Sequence, residues 1–231
     1  MRGRARSTRS TLGAGAVAFA ALQVAVLVAP MPALAGTLGA VVRNADGEPV
    51  EGAVVYALPL DAEGTPVPVG QPAVIDQVDK EFVPSLTVVQ VGTRVQFPNR
   101  DQIRHHVYSF SEAKSFEIPL YEGIPAEPIV FDKPGPVVLG CNIHDWMRAY
   151  VFVVETPYFA LTGEDGRASL ELPAGSYAVR VWHPELEGDP ARQGQRASIE
   201  EEGEAEVRFA IEQARVWRPR RAPSPGAGGY R

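Results

Sequence analysis

Within the segment GCNIHDWM (140–147), Cys141, His144 and Met147 follow one another at intervals of three residues. A thiolate, an imidazole and a thioether are three of the donors used by a mononuclear copper centre for one-electron transfer. Such a centre adds a second imidazole near the plane of the first two donors and keeps the thioether as a long axial ligand. One loop leaving a strand could present all three, so the second imidazole has to come from elsewhere in the fold. The segment FPNRDQIRHHVYSF (97–110) offers His105 and His106. Neighbouring residues on a strand point to opposite faces, so one of the pair can face a metal. Each residue taken singly has a plainer explanation. Cys141 would serve as a small buried hydrophobe, Met147 as core, and the histidines as ordinary polar residues. A tetrahedral zinc site built from Cys141, His144, His105 and His106 is a further alternative, but it leaves Met147 without a role.

The elements that must position these residues are strands. From Gly36 to Val216 the chain consists of short β-type runs broken by Gly, Pro, Asn and Asp, with almost no helical periodicity. Thr87–Val91 and Arg94–Phe97 flank a turn at Gly92-Thr93, and Phe116–Leu120 alternates in polarity. Val137, Leu139 and Cys141 share one face of a further run. The 21 prolines and 22 glycines suit all-β turns. An all-β fold of sandwich or barrel type is expected.

Over roughly residues 72–155 the chain resembles the cupredoxins, the plastocyanin and amicyanin family. The resemblance lies in VGTRVQFPNRDQIRHHV (91–107) and FDKPGPVVLGCNIHDWM (131–147). It implies a Greek-key β-sandwich holding one type 1 copper with His105, Cys141, His144 and Met147 as ligands. Asn99, six residues before His105, and Val107, two after it, match the family's frame and select His105 over His106. The three-residue step from His144 to Met147 matches the short amicyanin loop. More narrowly, the run resembles plastocyanin-like proteins associated with methylamine utilisation; nothing in the residues themselves points to methylamine. The family commonly has Asn after the first histidine ligand, where it ties the two ligand loops together, and here His106 stands in its place. Asn99, His106 and Asn142 are therefore the candidates for residues that orient the ligands.

A second resemblance frames the first. GTLGAVVRNADGEPVEGAVVYALP (36–59) and TGEDGRASLELPAGSYAVRVWHP (162–184) resemble the opening and closing halves of the carboxypeptidase regulatory-like, or transthyretin-like, β-sandwich. The expectation is a discontinuous sandwich, 36–70 plus 156–212, into which the cupredoxin domain, 72–155, is inserted. The alternative makes 36–70 an extra hairpin on the middle domain. His183 belongs to the sandwich motif and is expected to be structural, with Trp146 and Tyr150 as packing aromatics.

The ends of the chain and its charge bound the function. Four arginines, an apolar run and Ala33-Leu34-Ala35 read as a secretory signal peptide, residues 1–35, cleaved near Ala35. The mature chain is then exported, periplasmic in the leading reading, with no membrane span. Losing those arginines takes the net charge from −6 to −10. The body from Gly36 to Ala214 carries 13 basic and 28 acidic residues, which argues against nucleic acid as a partner. The arginine-rich tail, 213–231, is expected to be disordered. A single cysteine in an exported chain can form no internal disulfide and needs protection, which burial or a metal would supply. The leading expectation is an electron carrier, not an enzyme, acting between unidentified redox partner proteins. Copper delivery or storage is the alternative, and a mature chain with one methionine speaks against it.

Overall fold

The computed structural model describes residues 35–61, 69–125, 127–188 and 194–214. The expected signal segment up to Leu34, the expected tail beyond Ala214 and part of the expected 36–70 segment lie outside the described residues. The described chain is all-β. In order the strands are β1 (Ala35–Asn44), β2 (Val54–Pro59), β3 (Ala73–Val74), β4 (Asp76–Val78), β5 (Glu81–Val83) and β6 (Leu86–Gln90). There follow β7 (Thr93–Gln96), β8 (His105–Phe110), β9 (Ser115–Tyr121), β10 (Ile129–Phe131), β11 (Gly135–Gly140) and β12 (Arg148–Val154). The last five are β13 (Phe159–Leu161), β14 (Arg167–Pro173), β15 (Gly175–Trp182), β16 (Gln195–Ile199) and β17 (Glu204–Ile211). Among the described residues no helix is long and apolar enough to cross a membrane.

Two sheets, ordered β14-β1-β17 and β13-β2-β15-β16, close over one core. Leu38, Val42, Leu172 and Phe209 face it from the first sheet, and Val55, Ala57, Val179 and Val181 from the second. The period-2 pattern is plain in β17, where Val207, Phe209 and Ile211 point inward while Glu206 and Arg208 remain exposed. Within the first sheet β1 runs parallel to β17 and antiparallel to β14.

A second pair of sheets, β6-β12-β11-β8-β9 and β10-β7-β3, closes over the core that holds Cys141 and Met147. Ile75, Val95, Phe97 and Phe131 meet Val107, Val137, Leu139, Ala149 and Val151 there. The runs either side of Gly92 do not form a hairpin. β6 pairs with β12 in one sheet, and β7 pairs with β10 and β3 in the other. Gly92 permits the crossing at φ +87, a conformation that L side chains rarely adopt. The Asp46-Gly47 turn likewise returns the chain only briefly onto β1 before it crosses to β2 in the facing sheet.

The two sheet pairs stand back to back through β12. Its sequence, RAYVFVV, is nearly continuous in apolar residues because both faces are covered. Ala149, Val151 and Val153 face the core around Cys141. Phe152 and Val154 face Val54, Tyr56 and Trp182 of β2 and β15. Phe152 and Trp182 stack with ring centroids 4.5 Å apart and planes 7° from parallel. Replacing Trp182 by Ala should cost about 3–5 kcal/mol of stability, as for other large buried aromatics. A lower urea midpoint at unchanged m-value would register the loss.

Candidate metal centre

β11 and β12 are antiparallel neighbours whose last aligned pair is Gly140 with Arg148. That pair closes the loop 141–147 and places Cys141 and Met147 at its two feet. Both feet are buried, Cys141 at 3% exposure and Met147 at 2%, in the same apolar cluster. A turn within the loop, closed by the Met147 N–H donating to the His144 carbonyl at 2.8 Å, leaves His144 partly exposed between them.

The second histidine arrives through sheet pairing. Gly140 also pairs with Tyr108 of β8, the strand that begins at His105. A Cβ at position 140 would stand 2.8 Å from the Tyr108 ring, so only glycine lets that ring lie over the backbone just before Cys141. Where β8 meets β9 the register shifts, with His105 opposite Tyr121 but Val107 opposite Ile118. Pro119, which has no N–H for the ladder, lies in the shifted stretch. Irregularities of this kind re-aim side chains beside functional sites.

The outcome is a compact donor cluster. Ligand atoms of His105, Cys141 and His144 all lie within 4.8 Å of one another. The Cys141 Sγ is 3.9 Å from the His144 Nδ1, and the two imidazole centroids are 5.0 Å apart, edge to face. Metal–sulfur and metal–nitrogen bonds near 2.3 and 2.0 Å, set at about 110–130°, would separate S and N by roughly 3.5–3.9 Å.

The state of His105 is the sharpest test of fit. It is fully buried, and its Nε2 lies 2.6 Å from Asp101 Oδ2. A carboxylate only accepts, so Nε2 carries the proton and donates it. In the neutral ring Nδ1 is then a bare lone pair, and this buried atom has no hydrogen-bond partner. A buried unpartnered acceptor beside a buried thiol and a second imidazole suits a thiophilic cation. Asp101 also accepts the Asp79 N–H at 2.7 Å and the Lys80 N–H at 2.8 Å. Burial alone would raise the Asp101 pKa. Its hydrogen bonds with His105, Lys80 and Asp79 outweigh that effect together and hold the carboxyl below its ordinary value. Burial, assisted by His105 and Lys80 and opposed by Asp101, lowers the pKa of His144, which keeps its ring neutral and able to donate a lone pair at neutral pH. Burial also pushes the Tyr121 phenol, opposite His105 in the sheet, up to about 12 against a hydrogen bond from Gln77; the nearby Cys141 adds to the rise.

The other expected residues divide. His106 points to the far face of β8, buried at 6% exposure, with its Nε2 2.8 Å from Glu117 Oε1 and its ring against Tyr108. It is not in the donor cluster and does not tie the loops together. Asn99 bonds only to its own side of the centre. Its amide donates to the carbonyls of Ile103 and Tyr121 at 2.8 and 2.9 Å, and its oxygen accepts the Asp101 N–H at 3.0 Å. Asn142 is exposed. Trp146 is half-buried against the core, its indole N–H donating to the Lys80 carbonyl at 3.1 Å. Tyr150 packs near Trp182, and the His183 Nδ1 accepts the Glu185 N–H. Asp101 was missed in the sequence. It lies four residues before His105 in a polar loop, and only the pairing of β4 and β5 gives it a purpose.

No protein-family model and no curated protein matches the chain. Several solved structures do. The Cu-containing nitrite reductase of Thermus scotoductus SA-01 is 25% identical over 49% of this chain, with a TM-score of 0.35. The chain covers only 28% of the length of that protein. A purple cupredoxin of Nitrosopumilus maritimus is 23% identical, covering 36% of this chain and 99% of its own, with a TM-score of 0.32. The reduced Cu(I) form of a P52G variant of amicyanin is 21% identical, covering 43% and 98%, with a TM-score of 0.33.

The placement of the two histidines separates their expected effects. In a Co(II) titration followed by thiolate-to-metal absorption, His105→Ala should weaken binding by more than about 100-fold, and His106→Ala by less than about tenfold. A larger effect at His106 would reverse the assignment.

Proposed function

We propose that this chain is an exported type 1 copper protein that carries single electrons between redox partner proteins in the periplasm. The observation that carries the proposal is the cluster of His105, Cys141 and His144, whose ligand atoms lie within 4.8 Å of one another, with the buried His105 Nδ1 left without a hydrogen-bond partner. His105, Cys141 and His144 would hold the metal, and Met147, at the other foot of the loop, would supply the thioether. Copper in such a donor set alternates between Cu(I) and Cu(II) and so accepts and releases one electron at a time.

The protein's own residues do the rest. Asp101 keeps the His105 proton on Nε2 and leaves the Nδ1 lone pair free for a metal. Burial of Cys141 in the apolar cluster limits access to the thiol, the protection that a lone cysteine outside the cytoplasm needs. His144 is the partly exposed member of the set and hence the point at which a partner would approach. With four protein donors around one ion no coordination position is left for a substrate, which favours electron transfer over enzymatic chemistry. We further propose that residues 36–70 plus 156–212 form a sandwich of their own around a copper domain, 72–155. The two separate apolar cores support that division.

Adding Cu(II) to the mature chain should produce an intense blue thiolate-to-copper absorption band, and Cys141→Ser should abolish it. A blue band that survives Cys141→Ser would overturn the ligand assignment. Colourless, weak Cu(I) binding would favour copper delivery, and preferential zinc uptake a structural site.

A further inference from the structure

We propose that the turn between β4 and β5, Asp79-Lys80, is a backbone clamp that positions both halves of the metal centre at once. It would hold His105 through Asp101 and the 141–147 loop through Trp146. The purpose assigned to it rests on the copper proposal, whereas the contacts stand without it.

The turn reaches the first half through its amides. Asp101 Oδ1 accepts the Asp79 N–H at 2.7 Å, and Oδ2 accepts the Lys80 N–H at 2.8 Å together with the His105 Nε2–H at 2.6 Å. It reaches the second half through a carbonyl, since Lys80 O accepts the Trp146 indole N–H at 3.1 Å. Trp146 immediately precedes Met147, and its ring centroid lies 5.1 Å from that of His144. One peptide turn thus touches the orienter of one imidazole and the aromatic residue lodged between two loop ligands. Neither Asn99 nor His106 makes a bridge of this kind.

The turn is stiff enough for the task. Asp79 and Lys80 both have positive φ, +53 and +62, as a two-residue hairpin turn of the mirror-image type requires, although neither is glycine. Residues stay in that region only when their surroundings over-determine them. Here the hairpin is tied to the Asp101 loop on the other side too. Gln77 N–H donates to Pro98 O and Arg100 N–H to Gln77 O, each at 2.9 Å, and Arg100 Nε meets Asp76 Oδ1 at 2.8 Å. The two ligand-bearing segments therefore share one rigid reference, an arrangement that maintains donor geometry better than two independent loops would.

Hydrogen exchange in the metal-free, full-length protein tests the contacts directly. Asp101→Asn keeps the shape but loses the charge and one acceptor. The Asp79 or Lys80 amide should then exchange at least about tenfold faster, and the Trp146 indole N–H, which Asp101 does not touch, should speed up with it. An indole rate unchanged while the turn amides loosen would overturn the clamp. Trp146→Phe probes it from the other end, with loosened turn amides expected and unaltered ones counting against the proposal. Should Asp101→Asn fail to fold, this second variant decides alone. Co(II) affinity supplies an independent arm. Asp101→Asn should weaken binding by about 10–100-fold. Its effect and that of Trp146→Phe should combine to less than their product, because both act through one turn. A full product would count against the coupling. If the unaltered chain binds neither Co(II) nor Cu(II), the copper proposal falls, and the exchange rates still judge the clamp.

Discussion

A neutral imidazole has one proton and two nitrogens, and the nitrogen that keeps the proton cannot bind a metal. In this chain the choice is made by the hydrogen bond from His105 Nε2–H to Asp101. Asp101 can make it because the Asp79 and Lys80 N–H groups converge on its carboxylate and, with the bond from His105, hold its pKa below the ordinary value despite its surroundings. Those donors exist because β4 and β5 form a hairpin and because Asn99 and Arg100 fasten the neighbouring loop. Remove the carboxylate and nothing fixes which nitrogen of a neutral His105 ring carries the proton. The apolar residues around the fully buried His105 ring serve the same end, since low polarity there strengthens its bond to Asp101 and makes an unpaired group costlier.

The rest of the architecture arranges for the donors to meet. Cys141, His144 and Met147 come from one loop whose feet are fixed by the Gly140–Arg148 pair. His105 comes from the next strand, brought close because Gly140 lets Tyr108 lie against it. β12 then transmits the position of this sheet to the second sheet pair, through Phe152 and Trp182. The 141–147 loop is thus continuous with a strand that is packed on both faces.

How legible this was depended on distance along the chain. The three loop donors stood out because their spacing is local and unusual in a chain with one cysteine and, after Met31, one methionine. The all-β character could be read from alternation and turn residues, which act over a few positions. Which strands paired could not be read in this way. The runs around Gly92 look like a hairpin locally but serve two different sheets, because tertiary packing overrides a short-range turn signal. The choice between His105 and His106 needed family resemblance, and the irregular β8–β9 pairing that accompanies it leaves little trace beyond Pro119. Asp101 and the Asp79-Lys80 turn were invisible for a simpler reason: a carboxylate and a backbone amide look alike wherever they occur, and their meaning arises only on contact.

The chain leaves the outer sheets near Ala57 and returns to them about 100 residues later, at almost the same point. Thr156 Oγ donates to the Ala57 carbonyl at 2.7 Å, the Ala57 N–H donates to Tyr158 O at 2.9 Å, and β13 lines up against β2. Topologically this is a non-covalent clasp. Joining the ends of a flexible segment of that length costs about 4 kcal/mol of chain entropy by the logarithmic closure law. Pairing of the outer strands would meet that cost once for the whole intervening segment, whose ends it holds together. A segment closed in this way also has no privileged starting point. The intervening stretch could be opened at an exposed turn elsewhere and rejoined at the clasp without disturbing the order of its strands in space.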